Sequence, residues 1–129
     1  MKVNIMKEIP GISNTEWLVM KVIWANSECT ASRIIDELAG STKWKPKTVK
    51  SLISRLLKKQ AIGFREENRA YIYYPLVTEE ECVKLESQSF LDKVFGGEIN
   101  MAIANFIESK KLSEQQIDEL RKMLDEKEK

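Results

Sequence analysis

Eight cationic residues occupy a stretch of this 129-residue chain that contains no acidic residue. The stretch lies between Glu37 and Glu66 and holds Lys43, Lys45, Lys47, Lys50, Arg55, Lys58, Lys59 and Arg65. Because solvated helix surfaces usually mix charges of both signs, a run of one sign favours a polyanionic partner such as nucleic acid. The alternative is a lysine-rich surface that serves only solubility.

Helical periodicity separates these cations from the apolar residues around them. If a helix begins at Pro46, successive residues turn by about 100° and fall on two opposite faces. The apolar face holds Val49, Leu52, Ile53, Leu56 and Leu57. The polar face holds Lys47, Thr48, Lys50, Ser51, Ser54, Arg55 and Lys58. A helix that reads DNA needs this division, because cations hold phosphates and short polar groups approach base edges.

The predicted DNA-binding surface combines cations with short hydroxyl side chains. Its residues are Lys43, Lys45, Lys47, Thr48, Lys50, Ser51, Arg55 and Arg69. We expect Lys47, Thr48 and Ser51 to meet bases or nearby phosphates of a duplex. Arg55 would contact the DNA backbone. The alternative is that the two hydroxyl residues merely serve the helix surface.

The cations that flank this helix have two possible roles each. Lys43 and Lys45 would hold phosphate from the loop before the helix, although either could be merely solvated. Arg65 and Arg69 flank a predicted turn, where acidic residues at 66–67 oppose contact with DNA. Of these two arginines, we expect Arg69 to touch the duplex.

Three helices and a hairpin are predicted to position this surface. Ser13 and Glu16 form a capping box that starts a largely apolar helix over residues 14–25. Thr30 caps a second helix, and the cationic helix follows from about Lys45. Strands are predicted at 61–65 and 70–74, with a polar turn at 66–69. This order is that of a winged helix, a variant of the helix-turn-helix.

The remaining residues predict three short amphipathic helices. Capping boxes at 78–81 and 113–116 start the first and third, and Gly96-Gly97 separates the first from the second. Such a module has too little core to be stable alone, so we expect it to pair with a second copy. The predicted dimerisation residues are Leu85, Phe90, Phe95, Ile103, Phe106, Ile107 and Leu120.

The sequence therefore predicts a mainly α fold with a small β-hairpin in two domains. Residues 1–76 form an N-terminal winged helix-turn-helix domain, and residues 77–129 form a C-terminal three-helix dimerisation module. Charge follows a similar division, since residues 1–75 hold 13 Lys/Arg and 7 Asp/Glu, whereas residues 76–129 hold 8 and 13. A basic module joined to an acidic one would orient the protein toward a polyanion.

Composition disfavours several other classes of protein. The chain has no histidine, which removes Ser-His and Cys-His nucleophile pairs. Carboxylate pairs remain possible in principle, but the acids lie beside lysines on predicted helix surfaces, so we expect a protein that is not an enzyme. Cys29 and Cys82 cannot complete a zinc shell, and we expect no metal or other cofactor. No apolar run approaches the roughly 18 residues of a membrane span, and the start of the chain does not resemble an export signal. We therefore expect a cytoplasmic protein with two unreactive thiols and no membrane insertion.

Several segments resemble the BlaI/MecI family of bacterial penicillinase and methicillin-resistance repressors. They are Trp17, Met20, the Val22-Ile23-Trp24 run, the stretch from Trp44 to Lys59, Tyr73-Tyr74, Ser87 to Phe95, and Ala104-Asn105-Phe106. The resemblance covers about residues 9–124. It implies a homodimeric winged-helix repressor that binds palindromic operators upstream of β-lactam-resistance genes, with Thr48 at the DNA.

The resemblance also implies a mode of induction. In that family a membrane receptor-protease senses the antibiotic, and the repressor is then cut in its dimerisation module between an Asn and a Phe. The matching bond here is Asn105-Phe106. Two positions depart from the family pattern: Lys45 replaces a capping serine, and Gln60 replaces a glycine after the helix.

Other functions remain open at this stage. One is a winged-helix repressor of a related regulon with another inducer, and another is a winged-helix adaptor that binds proteins. The related copper-responsive repressors have a cysteine-rich C-terminal tail. This chain ends without one, which argues against a metal inducer.

Overall fold

The structure is a computed structural model that describes residues 8–109 and 113–128, except the side chains of residues 120 and 123–128. Within this part the helices are α1 (Asn14–Asn26), α2 (Ala31–Ala39), α3 (Pro46–Lys58), α4 (Glu79–Phe95), α5 (Ile99–Glu108) and α6 (Glu114–Glu128). The strands β1 (Ile62–Glu67) and β2 (Ala70–Pro75) lie between α3 and α4. The predicted mainly α fold with one hairpin is confirmed.

The chain divides into two compact units within α4, after Glu86. The first unit contains the three N-terminal helices, the hairpin and the start of α4. The second contains the rest of α4 with α5 and α6. The sequence prediction placed the division after residue 76, so the first turns of α4 fall with the first unit in the structure.

Local signals explain why α1 and α2 start where they do. The Ser13 hydroxyl accepts the Glu16 backbone N–H at 3.2 Å, and the Glu16 carboxylate accepts the Ser13 N–H at 3.0 Å. The Thr30 hydroxyl accepts the Arg33 N–H at 3.2 Å. These bonds satisfy amides that have no partner inside the helix, and each cap is worth about 1 kcal/mol.

The core of the first unit forms where α1, α2 and α3 meet the hairpin. Its fully buried side chains include Val19, Met20, Ile23, Ile34, Val49, Leu56 and Ile62. Each large aliphatic side chain buried in this way contributes about 1.5–3 kcal/mol. The tryptophans pack against this core, and the Trp24 indole donates to the Val77 carbonyl at 3.0 Å. The core therefore holds α3 by its apolar face.

The hairpin differs from the prediction at its turn. β1 pairs with β2 in antiparallel register from Ile62 opposite Pro75 to Glu67 opposite Ala70. The predicted four-residue turn at 66–69 is wrong, because only Asn68 and Arg69 form it, with φ of 51° and 67°. Two consecutive left-handed residues make a tight turn that matches the twist of the strands, so pairing extends further than expected.

A short extended segment before α2 is tied to the hairpin. The Cys29 N–H donates to the Tyr73 carbonyl at 3.0 Å, and the Tyr73 N–H donates to the Cys29 carbonyl at 2.8 Å. This pair of bonds fixes the N-terminus of α2 against β2. The start of α2, the hairpin and α3 are therefore held as one framework.

In the second unit, the break between α4 and α5 and the start of α6 lie where the sequence predicts. Gly96 and Gly97 have φ of 60° and 84° between α4 and α5, a conformation that glycine adopts without strain. The Ser113 hydroxyl accepts the Gln116 N–H at 3.2 Å, and the Gln116 side chain accepts the Ser113 N–H at 2.9 Å. No helix within residues 8–109 or 113–128 is both long and apolar enough to span a membrane.

Candidate nucleic-acid interface

The two faces of α3 are separated in the structure by burial. Val49, Leu52, Ile53 and Leu56 are at most 4% exposed. The exposed side chains on and before the helix are Lys43, Lys45, Lys47, Thr48, Lys50, Ser51, Ser54, Arg55 and Lys58. Their cations form no ion pair with the residues that the structure describes. The helix thus offers uncompensated positive charge beside short hydroxyl groups.

The N-terminus of α3 has an open backbone amide. Lys45 occupies the N-cap with φ of −81° and ψ of 157°, and its side chain makes no capping bond. Pro46 has no N–H, and the Thr48 N–H donates to the Lys45 carbonyl at 2.9 Å. The Lys47 N–H has no acceptor among the described residues. Together with the helix dipole, this amide favours an anion at the start of the helix.

Lys59, which belongs to the basic stretch, has a structural role. Its ammonium group bonds the Glu16 carboxylate and donates to the Gly11 carbonyl at 2.8 Å. Burial by itself would raise the pKa of Glu16, but the bond from Lys59 and the bonds from Ser13 leave this pKa below its ordinary value. Lys59 therefore neutralises the buried carboxylate of Glu16 near the start of α1.

Arg65 is also held by carboxylates. Its guanidinium donates to both Glu28 oxygens at 2.6 and 3.0 Å and to Glu67 at 3.0 Å. Its bonds to Glu28 and then to Glu67 raise the pKa of Arg65, and the bond from Arg65 lowers the pKa of Glu28. The structure thus places Arg65 in an ion-pair network that links the hairpin to the segment before α2.

Arg69 stands in contrast at the tip of the hairpin. Its side chain is exposed and makes no ion pair with any residue that the structure describes. The sequence favoured Arg69 over Arg65 for contact with DNA, but it did not indicate that Arg65 is held in ion pairs. The difference depends on Glu28, which is distant in sequence and reaches Arg65 only in the folded chain.

A groove lies between α2, α3 and β2, on the side of the domain that carries Lys50 and Ser54. Its volume is about 380 Å³. The residues that line it are Thr30, Ala31, Ser32, Lys50, Ile53, Ser54, Leu57, Ala70, Tyr71 and Tyr73. The groove places Ser32 and Ser54 beside the two tyrosines, a proximity that the sequence did not indicate.

The described residues contain no cluster of three or more metal-ligating side chains. Both cysteines are buried, and burial raises the pKa of the Cys29 thiol. A thiol with a raised pKa is a poor nucleophile at neutral pH. Burial therefore makes Cys29 a weak nucleophile, whereas the cations of α3 are exposed and can bind an anion.

The predicted dimerisation residues are mostly exposed in the single chain. In the second unit Phe90, Phe106 and Ile107 are 46%, 40% and 42% exposed, while Phe95 and Ile103 are partly buried. Leu85 lies in the first unit and is 38% exposed. The side chain of Leu120 lies outside the described part. Asn105 and Phe106 are adjacent exposed residues near the end of α5.

Comparison with protein families gives one match over nearly the whole chain. The family model described as Penicillinase repressor matches residues 12–126. The chain belongs to the penicillinase repressor family. The predicted membership is confirmed, and the family is named for repressors rather than for a class of enzyme.

Relatives of this family member share about two fifths of its residues. A penicillinase repressor from Bacillus licheniformis is 39% identical over 121 residues, which cover 94% of each chain. Methicillin resistance regulatory protein MecI of Staphylococcus aureus strain N315 is 40% identical over 116 residues, 90% of this chain and 94% of that protein.

A complex with DNA is among the similar solved structures. The Bacillus licheniformis BlaI monomeric form in complex with the blaP half-operator is 41% identical to this penicillinase repressor family member, with a TM-score of 0.52. The match covers 59% of this chain and 93% of the BlaI chain. The DNA-binding domain of the repressor BlaI matches at the same identity with a TM-score of 0.53.

Proposed function

We propose that this protein is a DNA-binding transcriptional repressor of β-lactam-resistance genes that acts in the cytoplasm. The observation that carries the proposal is the outward face of α3, where cations that form no ion pair with described residues lie beside Thr48 and Ser51. Family membership supplies the class of target. A relative of 41% identity is solved with a half-operator, which supports the same use of this fold.

The contacts within this function divide by chemistry. Lys47, Thr48 and Ser51 lie in the first turns of α3 and would meet base edges or adjacent phosphates in the major groove. Lys43, Lys45, Lys50 and Arg55 would contact the backbone. The open Lys47 amide adds a donor for a phosphate at the helix start. Arg69 would contact the backbone from the hairpin tip.

The proposed active form is a homodimer on a palindromic operator. The second unit carries large exposed apolar side chains that water does not solvate well, among them Phe90, Met101 and Phe106. Pairing of these surfaces would bury them, with partly buried Phe95 and Ile103 beside them. Two copies of α3 would then enter major grooves about one helical turn apart, a spacing of about 34–36 Å.

Release of the operator would follow cleavage between Asn105 and Phe106, triggered through a membrane-bound β-lactam sensor and protease. The Asn105 carbonyl accepts the Ser109 N–H at 3.0 Å, and the Phe106 carbonyl accepts the Ser109 hydroxyl at 3.2 Å. The bond thus lies in the last turns of α5, where a helix frays most readily. Local unwinding there would let a protease reach the backbone.

Charge reversal on α3 tests the proposal. A duplex selected from a random-sequence pool by the purified protein serves as the operator. Lys47→Glu with Arg55→Glu should abolish its retention in a mobility-shift assay, because two phosphate contacts become repulsive. Lys84→Glu with Lys93→Glu changes the net charge equally at exposed positions outside α3, and this control should retain the duplex.

Two outcomes would count against the proposal. One is retention of the duplex by the α3 variant as strong as that of the control variant. The other is wild-type protein that selects no sequence from the pool and binds all duplexes equally at physiological salt. Either would favour an adaptor that uses the same fold to bind proteins.

A further inference from the structure

A tyrosine that is mostly buried lines the groove between α2, α3 and β2. Tyr73 lines the groove and is 8% exposed. Its hydroxyl has no hydrogen-bond partner among the described residues, whereas every fully enclosed side-chain nitrogen or oxygen there has one. The Tyr73 hydroxyl must therefore reach solvent, and the groove is the opening that this side chain lines. Burial, with the nearby Tyr71, raises its pKa, so it stays a donor at neutral pH.

The other polar groups of the groove are also donors. Thr30, Ser32 and Ser54 provide hydroxyl groups, and Lys50 provides an ammonium group without an ion pair to a described residue. Among the described residues, no carboxylate lines the groove. The Thr30 hydroxyl caps Arg33, while the Ala31 and Ser32 amides at the start of α2 have no acceptor among the described residues. A groove lined by several donors suits an oxyanion.

We propose that this groove binds a phosphodiester of the duplex backbone, with the Tyr73 hydroxyl, Ser54 and Lys50 as its donors. The inference rests on the proposed function and extends it to Tyr73, which lies outside the α3 surface predicted from sequence. Lys50 and Ser54 belong to the outward face of α3, so a phosphate in the groove is continuous with DNA bound by that helix. The backbone hydrogen bonds between Cys29 and Tyr73 hold the start of α2 against β2. The donors on these two elements are therefore in place before DNA binds.

Removal of one hydroxyl tests the groove. Phosphate contacts carry no sequence information, so a mixed-sequence duplex of about 30 base pairs at low salt is a sufficient probe. Tyr73→Phe in the full-length protein should weaken binding about tenfold, the usual effect of losing one hydrogen bond to a charged group. The slope of log K against log salt should not change, because a hydroxyl carries no charge.

A matched control and a second variant separate this role from folding. Tyr74→Phe removes the same group from the next residue of β2, which does not line the groove, and should leave duplex affinity unchanged. Tyr73→Phe should unfold at the same or a slightly higher temperature than wild type, since the hydroxyl it removes had no partner. Lys50→Ala should reduce the salt slope by about 0.9.

The outcomes distinguish the groove from the proposed function. If wild-type protein does not retain the duplex at low salt, both the function and the groove assignment fail. If wild type binds and Tyr73→Phe binds equally well, only the groove assignment fails.

The same donors could instead bind a free anion such as inorganic phosphate. Inorganic phosphate is titrated into the protein while the Ala31 and Ser32 amide resonances are followed by NMR. Weak phosphate binding that Tyr73→Phe reduces together with duplex binding supports the proposal. Phosphate binding that Tyr73→Phe reduces while duplex affinity stays the same assigns the groove to a free anion and overturns it.

Discussion

At the residue scale, the buried carboxylate of Glu16 joins two distant parts of the first unit. It is 2% exposed and accepts bonds from the Ser13 amide and from Lys59. Glu16→Gln keeps an oxygen for the Ser13 amide but removes the charge that Lys59 faces. We expect a loss of about 1 kcal/mol in the free energy of unfolding at pH 7, measured by urea denaturation.

The pH dependence of that loss identifies the ion pair as its source. The pKa of Glu16 is below its ordinary value of 4.5 in the folded chain. The stabilisation is therefore complete above that ordinary value and is lost as the pH falls through the folded-state pKa. The wild type and Glu16→Gln should become equally stable once the pH is below the folded-state pKa of Glu16, since both side chains are then neutral. The control Glu80→Gln changes an exposed carboxylate and should show no such convergence with the wild type. A difference in unfolding free energy between the wild type and Glu16→Gln that stays constant at all pH values would contradict the argument.

The two arginines of the hairpin predict different salt dependence. Arg65 is already neutralised by Glu28 and Glu67, whereas Arg69 has no ion pair among the described residues. Arg69→Gln should reduce the slope of log K against log salt by about 0.9 for each phosphate that this arginine neutralises. Arg65→Gln should leave the slope nearly unchanged. Filter binding between about 50 and 200 mM salt measures both slopes, and equal reductions would show that Arg65 leaves its carboxylates to bind DNA.

At the element scale, the two ends of α3 show what Lys45 and Gln60 do. The Gln60 backbone takes a φ of 63°, and the Ala61 N–H donates to the Leu56 carbonyl at 3.0 Å. The Gln60 N–H donates to the Leu57 carbonyl at 3.0 Å, which completes a Schellman ending. The helix therefore ends as a glycine would end it, and the left-handed residue costs about 1 kcal/mol.

The N-terminus of α3 predicts a trade between stability and DNA affinity. Lys45 already has the extended backbone of an N-cap, so the hydroxyl of the Lys45→Ser variant should accept the open Lys47 amide and stabilise the domain by about 1 kcal/mol. The same change removes a cation beside the open Lys47 amide, and the salt slope should fall. Thermal unfolding and duplex binding on the same preparation measure both effects. Lys45→Ala, which cannot cap, should lower the slope without the gain in stability.

Local sequence signals were sufficient for most elements of this fold. Capping boxes and apolar periodicity placed the helix starts, since both depend on residues three or four apart. The turn was mispredicted because an Asn-Arg pair in left-handed geometry lacks the glycine that usually marks it. The Lys59–Glu16 pair and the groove beside Tyr73 could not be predicted, because each joins residues far apart in sequence.

At the scale of the whole molecule, the proposed function depends on linking two weak DNA-binding domains. A single domain contacts one half-site, whereas a dimer holds the second domain close to the second half-site. Linkage of this kind raises affinity by about 10²–10⁴ without new contacts. A cut at Asn105-Phe106 leaves the first unit whole, so release of the operator would come from broken linkage rather than from a damaged DNA surface.

Truncation after Asn105 tests that argument. The shortened protein lacks Phe106, Ile107 and α6, so it should sediment as a monomer and bind the selected operator about 10²–10⁴ times more weakly. Its affinity for a single half-site should stay close to that of the full-length chain, because the surface of α3 is intact. Fusing a parallel coiled coil after residue 105 should restore most of the operator affinity. If the fusion forms dimers but affinity is not restored, residues 106–129 contribute to DNA binding by something other than linkage.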